Sequence, residues 1–198
     1  MKTEKNNKNK WVISNPEILK LADSNGWTVA HELVKNPIFS GEWITNNPEI
    51  LKLANKQGWT VAHELARHSG KNKWTANDKE TLKLKDKVGW TVAHELAKHS
   101  GKNKWTTSDR EILKLKDKYG QTVAYLLALR TNENGWTTND KEILKLTNTF
   151  GSTVAHKLAY YSDKTGWETD DEEILKLTNE NGRTVAHELA KYFKQKIL

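Results

Sequence analysis

The sequence predicts an all-α fold, a right-handed α-solenoid of six two-helix repeats of about 31 residues, and three observations point there. The block Gly-x-Thr-Val-Ala recurs at Gly26, Gly58, Gly89, Gly120, Gly151 and Gly182, at spacings of 32, 31, 31, 31 and 31. A tryptophan opens every unit, at Trp11, Trp43, Trp74, Trp105, Trp136 and Trp167. The 198 residues therefore parse into a basic leader, 1–10, and one repeat domain, 11–198, with units 11–42, 43–73, 74–104, 105–135, 136–166 and 167–198. Each unit holds two helical patterns of about eight to ten residues. An isolated helix needs roughly 12–15, so each must bury its apolar stripe against neighbouring units.

Taken in order, a unit begins with its tryptophan, expected to cover the loop between units. Ser14 with Glu17 then reads as a capping box, and Asn46/Glu49, Asn77/Glu80, Ser108/Glu111, Asn139/Glu142 and Asp170/Glu173 repeat it. Ile18, Leu19 and Leu21 supply the apolar face of the first helix. Asp23-Ser-Asn-Gly26 ends that helix, because glycine takes the positive φ that turns the chain. Thr28 caps the second helix, where Val29, Ala30 and Leu33 share a face and the small Ala30 lets helices approach closely. The last helix runs on through Lys191 to Leu198 and reads as a C-terminal cap, whereas Lys8-Asn-Lys-Trp11 copies the internal junction Lys71-Asn-Lys-Trp74.

Composition limits the function classes. No apolar run approaches the roughly 18 residues of a membrane span, and residues 1–10 lack the apolar stretch of a signal peptide, so a cytoplasmic protein is expected. With no cysteine there is no disulfide, thiol nucleophile or cysteine-ligated metal. The net charge of +7 permits acidic partners without demanding them. The Asn- and Lys-rich composition reads as bacterial.

Asp23-x-x-Gly26-x-Thr28-x-x-His31 resembles the ankyrin repeat, most fully at Asp86, Gly89, Thr91 and His94, with Val-Ala where that family has Pro-Leu. Ile18-Leu-Lys-Leu-Ala-Asp23, followed by Val29 and Leu33-Val-Lys-Asn-Pro37, also resembles the bacterial leucine-rich-repeat variant. Both resemblances imply a binding scaffold without enzymatic activity. They further imply that the recurring Thr and His staple units together through backbone hydrogen bonds.

Chemistry-bearing residues are mostly repeated, and repetition argues against catalysis, which needs an asymmetric constellation. His31, His63, His94, His156 and His187 occupy one position, with Tyr125 in the remaining unit, and read as packing residues. His68 and His99 lie five residues after His63 and His94, where helical metal ligands prefer three or four, so no metal and no cofactor is expected. Lys20, Lys52, Lys83, Lys114, Lys145 and Lys176 each follow a glutamate by three residues and read as solvated intrahelical pairs.

Positions that vary within the frame are the candidates for function. Trp27, Trp59 and Trp90 follow the turn glycine, where later units carry Gln121, Ser152 and Arg183. They form an aromatic row, on the loop side that an ankyrin-like arrangement uses for binding. Units two and three each carry a net +3, with Arg67 and Lys98 one turn before the basic junctions Lys71/Lys73 and Lys102/Lys104. This surface predicts a non-enzymatic, monomeric protein-interaction module with an acidic partner. The alternative is a nucleic-acid-binding solenoid using the same basic, aromatic face of units two and three.

Overall fold

The computed structural model describes residues 15–36 and 43–193. The expectations placed on the leader, Trp11, Ser14, Pro37 and the chain after residue 193 lie outside them. The elements follow the sequence units: α1 (Pro16–Lys20) and α2 (Val29–Lys35); α3 (Pro48–Leu51), α4 (Val61–Arg67) and α5 (Ser69–Asn72); α6 (Lys79–Lys83), α7 (Val92–Lys98) and α8 (Ser100–Asn103). Then come α9 (Arg110–Leu113), α10 (Val123–Ala128) and α11 (Thr131–Asn134); α12 (Lys141–Leu144), α13 (Val154–Tyr160) and α14 (Ser162–Thr165); α15 (Glu172–Leu175) and α16 (Val185–Phe193). The described residues are all-helical apart from isolated bridges such as Ala22 with Thr28.

These helices are too short to stand alone, and their burial shows what holds them. The longer helices α2, α4, α7, α10, α13 and α16 contact one another in succession. The alanines at their second position, Ala30, Ala62, Ala93, Ala124 and Ala155, are fully buried between them. Ile50, Leu65, Leu96, Ile112, Leu127, Ile143, Leu158 and Ile174 fill the core. Trp74, Trp105, Trp136 and Trp167 are buried as well. Trp74, Trp136 and Trp167 reach back from Nε1 to the carbonyls of Thr45, Thr107 and Thr138 in the preceding unit, at 3.1, 3.0 and 3.0 Å.

The turn glycine does two things at once. Gly26 has φ +80°, and a Cβ added to it would lie 3.0 Å from the backbone nitrogen of Lys56. That nitrogen donates to the carbonyl of Asn25, so the turn of one unit sits directly on the turn of the next. A side chain there would separate the two.

The structure differs from the sequence reading in three places. The first-helix caps are Asn47, Asp78, Asp109, Asp140 and Asp171, one residue later than expected, and Asn15 caps α1. Proline prefers the first helical position, so the residue directly before Pro16 or Pro48 is the cap. The capping box belongs instead to the second helix, where Thr28, Thr60, Thr91 and Thr153 pair with His31, His63, His94 and His156. Second, units two to five contain a third, one-turn helix where a loop was expected. Asn72, Asn103 and Asn134 fold it back, each donating from its amide to the carbonyl of Leu65, Leu96 or Leu127 and accepting from the following tryptophan N–H. Third, most of the lysine row pairs between units. Lys83 meets Glu111, Lys114 meets Glu142 and Lys145 meets Glu173, while Lys79, Arg110 and Lys141 meet the cap aspartates Asp109, Asp140 and Asp171. Lys20 with Glu17, at 2.9 Å, keeps the expected spacing.

Candidate functional site

The recurring histidines are placed by the capping box. In His63 the ring Nδ1 lies 3.2 Å from the backbone nitrogen of Thr60, which donates to it, and 2.7 Å from the Thr60 hydroxyl. Nε2 therefore carries the proton, and it donates to the carbonyl of Trp90 in the next unit at 3.1 Å. His31 does the same to Trp59, His94 to Gln121 and His156 to Arg183. Burial is the main cause that lowers the pKa of all four, outweighing the bond to the carbonyl. Neutral and fully bonded, these rings are staples.

Units two and three add a second, rarer constellation. The Nε1 of Trp59 donates to Glu64 Oε2 at 2.7 Å, and the other carboxylate oxygen meets His68 Nε2 at 3.1 Å. Trp90, Glu95 and His99 repeat this at 2.7 and 3.1 Å. Both glutamates are 2% exposed. Burial pushes the Glu95 carboxyl up, but bonding from His99, the charge of Lys98 and the Trp90 N–H together hold it below the ordinary carboxylate value. It stays ionised and pins the indole edge. The same rings pack on the staple histidines, Trp59 on His63 at 4.8 Å and Trp90 on His94 at 5.0 Å between centroids. Each indole is thus held on one edge and one face.

Trp59 and Trp90 line one open cleft of about 530 Å³ together with Arg67, Lys98, His99 and Tyr119. Its acidic groups are already engaged. Glu95 is committed to Trp90 and His99, while Asp86 Oδ1 accepts from the N–H groups of Val88 and Trp90 and Asp117 Oδ1 from those of Tyr119 and Gln121. Of its cations, Arg67 has no carboxylate oxygen within 4 Å among the described residues, while Lys98 sits 5.6 Å above the Trp90 ring and its charge acts on Glu95. Trp90 and Lys98 also border a smaller, more enclosed hollow of about 320 Å³ running to Leu126 and Leu129.

The predicted row is therefore divided. Trp59, Trp90, Arg67 and Lys98 come together, whereas Trp27 lines a separate hollow with Leu21, Val29 and Leu33. Trp27 makes an edge contact with His31 at 5.2 Å and lies under Lys35 at 5.1 Å, and among the described residues no carboxylate bonds its Nε1. Lys71 and Lys102 are exposed on α5 and α8, and Lys73 and Lys104 are the residues that close those helices, with φ of 59° and 61°. None of these four lines the cleft. Lys104 donates to the carbonyl of Glu133 at 2.6 Å. Reading by position had overlooked Glu64 and Glu95. Their spacing, five residues after a tryptophan and four before a histidine in units two and three, was the available signal.

Among the described residues no cluster of three or more His, Asp or Glu side chains is placed to hold a metal ion, and no helix is long and apolar enough to cross a membrane.

No family model matches the chain, and no curated protein matches it. A chain in the solved structure of the Bd0816 predatory endopeptidase from Bdellovibrio bacteriovorus in complex with immunity protein Bd3460 is similar over 88% of this chain and 95% of its own. The identity is 18% and the TM-score 0.45.

Proposed function

We propose that the chain is a non-enzymatic protein-interaction scaffold: a monomeric, cytoplasmic, right-handed α-solenoid of six repeats, stacked in ankyrin-like fashion, that presents a tryptophan-and-cation cleft to an acidic partner. The observation that carries this reading is the pinning of Trp59 and Trp90 by buried Glu64 and Glu95 beside Arg67 and Lys98. Exposed tryptophans lose rotamer freedom on binding, and rings already held on two sides lose less, so the cleft is preorganised. The cation-bearing first-helix face is largely neutralised by pairs between units, whereas Arg67 and Lys98 in the cleft and Lys71 and Lys102 on α5 and α8 have no carboxylate oxygen within 4 Å among the described residues. Such charge steers an acidic partner, while the tryptophans supply most of the affinity.

The nucleic-acid reading draws on the same aromatic and basic residues and differs in its salt dependence. Affinity capture from a lysate with wild type and the Trp59→Ala/Trp90→Ala variant separates the two. A protein held by wild type at both low and high salt and lost by the variant supports the scaffold reading. Nuclease-sensitive material held only at low salt overturns it in favour of nucleic acid.

A further inference from the structure

We infer that copies of this chain join end to end, the face of unit six in one copy packing on the face of unit one in the next, through the contacts that already join successive units within the chain. Neither face includes a residue of the cleft, and the monomer of the scaffold reading is the dilute form.

Burial differs between the end units and the inner ones at equivalent positions. On unit one, Ile18 is 42% and Leu21 62% exposed, and Val29 is half-buried. One repeat on, the same positions are covered. Ile50, Thr81, Ile112, Ile143 and Ile174 stand in the place of Ile18 and are buried, as are Val61, Val92, Val123, Val154 and Val185 in the place of Val29. Leu53, Leu84, Leu115, Leu146 and Leu177, in the place of Leu21, pack against the core. This face also holds the hollow of about 550 Å³ bounded by Leu21, Val29 and Leu33. Unit six shows the opposite side of the same contact. Ala186, His187 and Ala190 are exposed, whereas Ala155, His156 and Ala159, one unit earlier, are buried. Each end thus keeps, uncovered among the described residues, one half of the surface by which neighbouring units pack, and covering apolar surface again is favourable.

The polar groups match as well. Between units a staple histidine donates to a carbonyl, a turn carbonyl accepts from the next turn, and a lysine meets a glutamate. His156 with Arg183, Phe150 with Glu180 and Lys145 with Glu173 are the last of each series. The next members are His187 Nε2, the Asn181 carbonyl and Lys176, and among the described residues none of them has a partner in another unit. Unit one carries what they lack. The Trp27 carbonyl stands where that of Trp59 accepts from His31, and the Ser24 N–H where that of Lys56 donates to Asn25. Glu17 stands where Glu49 faces Lys20 at 3.7 Å. Among the described residues the Ser24 N–H donates to no other group. Glu17 and Lys176 are paired within their own helices, with Lys20 and Glu172, and such exposed pairs exchange at little cost.

A contact between two different faces does not close on itself, so every added copy offers a fresh end and the stack grows. Within the chain, the connecting backbone holds neighbouring units at high effective concentration. Separate copies lack that link and lose translational and rotational freedom on joining, so the stack forms only as the protein is concentrated.

The test is sedimentation velocity of the full chain over a wide concentration range, with Leu21→Glu altering only the unit-one face and Ala186→Glu only that of unit six. Both positions are exposed, so both variants are expected to fold, which circular dichroism checks. Wild type is expected to sediment faster as concentration rises, past the value for a dimer. A carboxylate placed in the contact without a partner is expected to weaken it by about tenfold or more, so that each variant alone stays monomeric where wild type associates. Mixed, the two variants are expected to form a dimer and stop there, because Leu21→Glu retains a native unit-six face and Ala186→Glu a native unit-one face. Wild type that stays monomeric throughout overturns the proposal, and so does growth that either variant leaves unchanged. A mixture that stays monomeric while wild type associates overturns it too, since the contact would then not join these two faces. None of these results bears on the cleft, so the scaffold reading stands or falls separately.

Discussion

His63 donates from Nε2 to the carbonyl of Trp90, 27 residues further along the chain, at 3.1 Å, while its Nδ1 accepts from Thr60 within its own unit. One side chain thus ends a helix and ties two units together. His63→Ala removes both bonds from a fully buried site, and an unpaired buried polar group costs about 1–3 kcal/mol, so a loss of about 2–3 kcal/mol is expected. His187→Ala is the comparison. His187 is exposed and keeps the bonds to Thr184, with no acceptor for Nε2 among the described residues. Its loss is expected to stay near the cost of a cap, about 1 kcal/mol. Urea unfolding of the two variants measures the difference, and equal losses would contradict a staple between units.

Acid sensitivity follows from the same rings. His31, His63, His94 and His156 have their pKa lowered in the folded state, chiefly by burial, so the unfolded chain binds protons that the folded chain refuses. The stabilisation is therefore complete above the unfolded value of about 6.5 and is lost as pH falls from there towards the lowered folded values. Each such proton contributes up to about 1.4 kcal/mol per pH unit over that window. Thermal unfolding at pH 7.5 and pH 5 is expected to show a marked drop, diminished in a variant with His63 and His94 replaced by Tyr, the residue found at 125. A flat profile between those values would rule the account out.

Lys73 and Lys104 sit at φ of 59° and 61°, where the next two units use Gly135 and Gly166 at 73° and 69°. A left-handed conformation costs a side-chain-bearing residue about 1–2 kcal/mol, and a glycine pays no such steric cost. Lys73→Gly is therefore expected to raise stability by about 1 kcal/mol. Lys104→Gly should gain less, since it gives up a 2.6 Å bond to the Glu133 carbonyl in the next unit, where Lys73 has a longer one, 3.1 Å, to the carbonyl of Gly70 in its own turn. Gly135→Lys provides the reverse measurement: a Cβ there meets nothing within 4 Å, so any destabilisation in urea reports backbone conformation alone.

The helical class and the period were legible because the residues that set them are local. Glycine at the turn, threonine before the second helix and alanine inside it repeat at fixed offsets, and their roles need no knowledge of the neighbouring unit. The cap of the first helix was read one residue early because Asn46 and Asn47 are adjacent and both suit the role, and only the fixed geometry of Pro48 decides between them. The pairing of Lys83 with Glu111 rather than Glu80 depends on how closely one unit stacks on the next, which no spacing within a unit contains. The cleft shows both cases. Its tryptophans stood out as variable positions, but Glu64 and Glu95 repeat the glutamate of Glu32, which is exposed, and only tertiary burial separates their role from a solvated charge.

Glu95 offers a direct check on whether the cleft's order matters. Glu95→Leu keeps the volume close to that of the native side chain while removing the acceptor for both Trp90 Nε1 and His99 Nε2. With those bonds gone, Trp90 keeps its packing on His94 and the core and its contact with Lys98 but loses the bond that fixes its edge, and the ring should sample more than one rotamer. Fluorine NMR of protein carrying 5-fluorotryptophan, with the Trp90 resonance assigned by Trp90→Phe, is expected to show that line move and change width in Glu95→Leu. Glu95→Gln, which retains a carbonyl acceptor for the indole, should leave it near its native position. For any ligand of the cleft, Glu95→Leu should weaken binding by about tenfold although Trp90 is still present, because the ordering lost beforehand must then be supplied on binding. Unchanged affinity together with a displaced Trp90 line would mean that the indole is a contact whose prior position is irrelevant, and the buried carboxylates would then be packing residues.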